Sequence, residues 1–288
     1  VQLANATQDA VLHNTIIPFS GALDMGQDAA QLTLLGCDGL APASKGKTSY
    51  VFLALADPVS RAGMVGGWVT HERASGIMQT TCEGGTLRFS ARSEYGRLQL
   101  PAGASADGET FAIGLFDDVL DGLDSFASVT ARINNIVLPK RAPCGYCTWY
   151  HAGALSEKKM ADLAKFCSEQ HLNDFGLDTL QIDDGWQIGN RDYSTHKPNG
   201  PYKSGMKPTA ETITSAGFRA GIWLIPFGWS VKESVLSAHP DWFVHRADGA
   251  VYDVYWAGDC LDMTHPDAQA FLKETIQRMV GEWGYRYL

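Results

Sequence analysis

Up to about residue 138 the apolar positions come in short runs of strand length. Residues 48–56 form one continuous apolar run, residues 86–92 alternate with Leu87, Phe89 and Ala91 on one side, and residues 110–116 form a third run. Turn signals such as Glu83-Gly-Gly85 and Pro101-Ala-Gly103 separate them. Short strands at this spacing predict an all-β sandwich. Within it, Leu123, Phe126 and Ala127 fall on one helical face and predict a single helix over 123–133. The stretch Leu138-Pro-Lys-Arg-Ala-Pro143 then breaks regular structure, which divides the chain into a sandwich domain, 1–138, and a second domain, 139–288.

After Pro143 the period changes. Residues 145–150 read as a strand, and Ser156 is placed to cap a helix whose apolar positions are Met160, Leu163, Ala164 and Cys167. A second strand at 177–183 is followed by a helix at 207–216 that ends at Gly217. A third strand follows at 218–226. Thr264 is the expected cap of a longer helix, with Pro266 and Asp267 in its first turn and a buried stripe of Leu272, Ile276, Met279, Val280 and Trp283. Gly284 closes that helix, and residues 285–288 begin a fourth strand. Alternating strands and helices imply a parallel α/β layout. A complete (β/α)8 barrel takes roughly 250 residues. The expectation is therefore the first half of such a barrel, about four βα units. A four-stranded open α/β sheet is the alternative, but no glycine-rich phosphate fingerprint supports it.

Composition narrows the function. The chain has 288 residues, is 45% hydrophobic and carries a net charge of −9. Such an acidic chain repels phosphate backbones, and it has no Lys/Arg run of the kind that grips a membrane surface, so neither nucleic acid nor membrane is an expected partner. No apolar run is long enough to span a bilayer. The expected state is a soluble protein, cytoplasmic or exported after signal removal, with the start at Val1 read as processed or trimmed. Six Cys are too few for a disulfide scaffold. Cys144-Gly-Tyr-Cys147 has zinc or redox spacing but no second pair, and reads as two small residues on a buried strand. Eight scattered His show no ligand spacing; His265 reads as a helix-start residue and His151 as a loop residue. No metal or cofactor is expected. The single sequon at Asn5-Ala-Thr7 is read as chance.

The stretch that carries chemistry is Gln181-Ile-Asp-Asp-Gly-Trp-Gln187. Successive strand residues point to opposite sides, but at a strand's carboxyl end the chain turns into a loop and both Asp183 and Asp184 can face a cleft. Paired carboxylates suit a polyhydroxylated ligand, since every oxygen accepts from a hydroxyl. A cation site, an acid/base pair, or a plain Asp-Gly turn are the other readings of the same residues. Seven of the eight Trp lie at or after position 149. Trp149 and Trp223 fall near strand ends, where an indole face can pack on the C–H face of a sugar. Trp283, Trp242 and Trp68 read as packing.

Several ordered blocks resemble the melibiase group, the family-36 α-galactosidases and raffinose synthases of glycoside hydrolase clan D. They are Gly145-Tyr-Cys-Thr-Trp-Tyr150, Ile182-Asp-Asp-Gly-Trp-Gln187, Ser204-Gly-Met-Lys-Pro208, Ala220-Gly-Ile-Trp-Leu-Ile-Pro-Phe227, His239-Pro-Asp-Trp-Phe243 and Cys260-Leu-Asp-Met-Thr-His-Pro266. Gly66-Gly-Trp-Val-Thr-His-Glu-Arg73 resembles part of the amino-terminal domain of these enzymes. The resemblance implies a β-sandwich followed by a (β/α)8 barrel, and retaining cleavage of terminal α-galactosides by two carboxylates. It places Asp183 and Asp184 on the galactose 4- and 6-hydroxyls, Trp149 and Trp223 as walls of the subsite, and Trp256 against the sugar. In this family the nucleophile Asp sits in a Lys-x-Asp motif at the end of the fourth strand, and the acid/base comes from a later strand. Both are expected after Leu288, so no residue of the sequence itself is assigned to catalysis.

The resulting expectation is a retaining exo-α-galactosidase acting on an α-galactoside oligosaccharide or glycoconjugate. A galactosyl transferase of the raffinose synthase type and a non-catalytic carbohydrate-binding fragment are the alternatives. Whether the chain forms a homo-oligomer is left open.

Overall fold

The computed structural model describes residues 2–153, 155–232 and 234–288. The chain divides into two compact units, Val1–Pro139 and Lys140–Leu288. No helix among the described residues is long and apolar enough to cross a membrane.

The first unit is built from two antiparallel sheets. One has five strands, in the order Phe111–Phe116, Gly63–Trp68, Phe52–Ala56, Thr33–Gly36 and Gly39–Pro42. The other has four, in the order Val11–Leu23, Thr86–Leu100, Ser75–Glu83 and Lys47–Tyr50. Alternation along each strand gives each sheet one apolar face. Those faces share a core, with Leu34, Leu53, Leu55, Met64 and Trp68 from the first sheet and Met78, Leu87, Phe89 and Ala91 from the second. This is a sandwich.

Two local readings of this unit need correction. The apolar run 48–56 is two strands in different sheets, because Val51 takes a left-handed conformation, φ 65°. Its N–H donates to Gly76 O at 3.3 Å and its carbonyl accepts from Trp68 N–H at 2.7 Å, so the chain crosses between sheets at this residue. The helix spans Val119–Ile133, starting four residues before the expected Leu123, and Asp118 caps it by accepting from the Leu120 N–H at 3.0 Å. Its packed face runs through Gly122, Phe126 and Val129, spaced four and three apart, which leaves Ala127 exposed. Asn5 is buried, and its amide donates to the carbonyls of Asp9, Leu100 and Pro101, so the sequon nitrogen is already committed to the fold.

The second unit has a parallel sheet in which Gly145–Cys147, Thr179–Ile182 and Arg219–Ile222 are neighbours in chain order. A parallel bridge from Gly221 to Tyr287 adds the start of a fourth strand. Helices Glu157–Glu169, Met206–Ser215 and Pro266–Gln277 alternate with them. Strand residues Leu180, Ile182, Ala220 and Ile222 form a core with Met160 and Ala164 of the first helix and Met206, Ala210 and Ile213 of the second.

Here too several details differ from expectation. The first strand stops at Cys147, and residues Trp149–Ala152 form a single helical turn that includes His151. Ser156 caps the next helix as its sequence suggests. The last helix is capped by His265, one residue after the expected Thr264: its ring accepts from the Asp267 N–H at 3.2 Å, while the Thr264 hydroxyl donates to Asp262 at 2.6 Å. Its fully buried positions are Ala268, Thr275 and Met279, while Leu272, Ile276, Val280 and Trp283 are half-buried. Trp283 stands edge-on to the buried Trp186 at 5.8 Å, and Trp242 stacks on His239 at 4.0 Å; both are packing residues. Cys144 is exposed rather than buried, and all six cysteines are free.

Candidate functional site

The carboxyl ends of the first two strands are laced together by Thr148, which is wholly buried. Its N–H donates to Gln181 O at 3.2 Å, and its hydroxyl oxygen accepts from the Asp183 N–H at 3.0 Å. The strand ends at Ile182, so the alternation that would separate the next two side chains ends with it. Asp183 is 8% exposed. One of its oxygens accepts from the Asp184 N–H at 2.7 Å and the other from the Cys147 thiol at 3.0 Å. Burial, reinforced by the carboxylate, raises the Cys147 thiol above its ordinary pKa, which keeps it a protonated donor.

Asp184 is held by a different set. Gly185 turns the chain at φ 116°, a conformation glycine adopts without strain. Gln187 then reaches back, accepting from the Gly185 N–H at 2.9 Å and donating to one Asp184 oxygen at 2.5 Å. Arg191 donates to the other oxygen at 3.1 Å. Burial works against the Arg191 cation, but its bonds to Tyr193 and Asp184 outweigh that and raise its pKa further.

The two carboxylates therefore open into one cavity of about 650 Å³, lined by Cys147, Trp149, Tyr150, Gln181, Asp183, Asp184, Arg191, Trp223 and Trp256. All five residues singled out from sequence, Asp183, Asp184, Trp149, Trp223 and Trp256, meet there. Trp223 follows the third strand, its N–H donating to Ile182 O at 2.8 Å, and its carbonyl accepts from the Trp186 indole at 2.9 Å. Trp256 comes from the turn Tyr255–Ala257, which Gly258 closes at φ 91°. Trp149 and Trp256 are more than half exposed, at 54% and 64%, so their ring surface is available to a ligand.

Arg191, Cys147 and Tyr150 line the cavity without having been identified from sequence. Tyr150 and Cys147 both lie in the block Gly145–Tyr150, but nothing in that string marks either as a site residue. Arg191 lies in a turn with no motif around it. A second cavity, of about 510 Å³, lies at the opposite end of the strands beside Arg219, Ala220 and Arg286, and gathers no carboxylate pair. Among the described residues no group of His, Cys, Asp or Glu has the arrangement of a metal site.

The arrangement offers two carboxyl acceptor groups with aromatic faces around them, which suits a ligand with adjacent hydroxyls on an apolar ring. Residues 149–288 match the family model described as Melibiase. The fold of the whole chain is similar to that of solved α-galactosidases. The enzyme from Lactobacillus brevis superposes with a TM-score of 0.65 at 15% identity, over 99% of this chain and 42% of its own. The GH36 enzyme AgaA from Geobacillus stearothermophilus gives 0.59 at 17%, over 99% and 40%. The enzyme from Thermus thermophilus, solved with stachyose, gives 0.59 at 16%, over 96% and 60%. The chain thus spans about two fifths to three fifths of the length of these proteins. It joins a β-sandwich to a segment, residues 149–288, that matches the Melibiase family model, in a chain whose fold is similar to that of solved α-galactosidases.

Proposed function

We propose that this chain carries the sugar-recognising part of a retaining exo-α-galactosidase. The observation that carries the reading is the convergence of Asp183 and Asp184 with Trp149, Trp223 and Trp256 on one open cavity at the strands' carboxyl ends. That is the end at which barrel enzymes of this kind build their sites. The parallel βα array is then the first half of a (β/α)8 barrel, and substrates are α-galactosyl oligosaccharides. Relatives of similar fold were solved with stachyose, raffinose and p-nitrophenyl α-D-galactopyranoside.

In this reading Asp183 and Asp184 accept hydrogen bonds from the galactose 4- and 6-hydroxyls, and the indoles wall the ring. Each carboxylate oxygen keeps acceptor capacity beyond its one protein donor. The nucleophile and the acid/base are carboxylates contributed by later strands, about 5 Å apart as retention requires. A Lys-x-Asp encoded shortly after Leu288 is the expected nucleophile motif, and reading those codons checks it.

The binding claim is tested by calorimetry with methyl α-galactoside and its C4 epimer, methyl α-glucoside. The galactoside is expected to bind more tightly. Losing a hydrogen bond to a charged group costs about 1.5–3 kcal/mol, so Asp183→Asn and Asp184→Asn are each expected to weaken binding about tenfold or more. Wild-type affinity in both variants would mean that the carboxylates only brace the turn.

A further inference from the structure

Among the described residues Arg191 is the one cation in the cavity lining, and it touches two of the elements that form the cavity. Nη1 donates to Asp184 at 3.1 Å and to the Tyr193 hydroxyl at 3.4 Å, while Nε donates to the Trp256 backbone carbonyl at 2.7 Å. Its guanidinium carbon lies 5.4 Å from the Trp223 ring centroid and 5.7 Å from that of Trp256. Only 12% of its side chain is exposed. The backbone is committed as well. Arg191 sits at φ 56°, in the left-handed region, in the turn between strands Gln187–Gly189 and Asp192–His196, and its carbonyl accepts from the Ser230 N–H at 3.0 Å. That conformation is strained for a residue with a side chain and persists only where surrounding contacts over-determine it.

We propose that Arg191 is a positioning residue of this cavity: its guanidinium fixes the separation between the Asp184 carboxylate and the Trp256 indole, and so sets the width of the sugar slot. The Trp256 turn has no strand of the parallel sheet beneath it. It is held by the short pairing of Gly228–Trp229 with Asp259–Cys260, by its own closing bonds from the Val254 N–H to Gly258 O and from the Ala257 N–H to Val254 O, both 2.9 Å, and by the bond from Arg191, the one side-chain bond to the Trp256 backbone among the described residues. Without that bond the indole is free to swing from the carboxylate pair. Lysine cannot replace arginine here, since a single ammonium on a flexible stem cannot bond Asp184 and the Trp256 carbonyl together while stacking between two indoles.

The slot width rests on the sugar-binding reading, whereas the clamp itself does not, and two measurements separate them. In the ligand-free 288-residue chain, the Trp256 indole N–H resonance is assigned by its loss in Trp256→Phe. It is expected to shift and broaden in both Arg191→Met and Arg191→Lys, with Tm still showing a cooperative fold. An unmoved resonance in both variants overturns the clamp. Titration with methyl α-galactoside is then expected to show about tenfold weaker binding for Arg191→Met. That loss should be strongly non-additive with Trp256→Ala, which removes the group being positioned. It should be additive with Trp149→Ala, since Arg191 shares no hydrogen bond or ring contact with Trp149 among the described residues. Additivity with both tryptophans, or unchanged affinity in Arg191→Met, overturns the proposal that the clamp sets the slot. If wild type binds no galactoside while the indole resonance responds as expected, the clamp stands and the sugar reading falls.

Discussion

Glu109 shows how a single buried carboxylate can be made favourable. It is 3% exposed, and burial alone would raise its pKa. Four donors outweigh that and hold it below the ordinary carboxylate range: the Thr70 hydroxyl at 2.6 Å and the backbone N–H groups of Glu72, Arg73 and Ala74 at 3.2, 2.7 and 3.1 Å. A carboxylate with a depressed folded-state pKa stabilises the fold above its unfolded value of about 4.3, and that contribution is lost as pH falls through the folded value. Glu109→Gln turns an amide toward backbone donors. It is expected to cost about 1–3 kcal/mol at pH 7, with a gap to wild type that narrows below pH 4. Urea unfolding at pH 7 and pH 3 checks this, and an equal gap at both would show that the charge contributes nothing. The same scale shows what sequence can reveal. Asp183 and Asp184 were legible because their chemistry is contained in one local string. Arg191 was not, because its partners Asp184 and Trp256 lie 7 and 65 residues away and neither spacing is a motif.

At the scale of elements, the period of the apolar residues revealed the helices and the parallel layout, because each element buries one face and that requirement fixes the period. It did not reveal where a run changes sheets. Residues 50–56 carry no polar break, and only the left-handed Val51 splits the run 48–56, a backbone choice imposed by bonds to Gly76 and Trp68 in different sheets. Nor did it place the start of the helix Val119–Ile133, since Gly122 reads locally as a breaker. In the fold Gly122 is the one wholly buried residue of that helix, where a Cβ would press on Phe116 at 2.6 Å. Close approach also explains Gly76, which lies in the strand Ser75–Glu83. A Cβ there would stand 2.3 Å from the ring of Trp68, which is fully buried and cannot retreat without disturbing both sheets. Gly76→Ala is expected to cost about 1–3 kcal/mol by overpacking. Gly21→Ala, in the strand Val11–Leu23 with open space around its Cβ, is expected to be neutral or slightly stabilising. Thermal melts of the two variants check the contrast, and equal Tm values would mean that Trp68 has room to move.

At the scale of the whole molecule, the change of pattern near Pro143 reflects two separate cores. One is made of residues between Phe19 and Phe111 and the other of residues between Tyr146 and Tyr285. A unit that buries its own apolar faces can fold by itself, and chains part most readily where exposed backbone has few bonds to break. Residues 136–144 have neither helix nor strand, every residue from 132 to 145 is exposed, and Lys140 and Arg141 stand side by side within the stretch. Among the described residues Arg141 is tied by a single 3.5 Å contact to Asp178 with its side chain 63% exposed, a pair too solvated to protect the backbone. Brief trypsin treatment is therefore expected to cut first after Lys140 or Arg141, ahead of the other Lys and Arg residues held in helices and strands. The amino-terminal fragment is expected to survive, because its Trp68 and Phe89 core contains no residue from beyond the cut. Mass spectrometry of the first products, followed by a urea melt of the isolated fragment, measures both steps. A first cut inside either unit, at Arg97 or Lys158 for example, would show that the connecting segment is protected. A fragment that melts without cooperativity would show that the sandwich depends on the second unit for its stability.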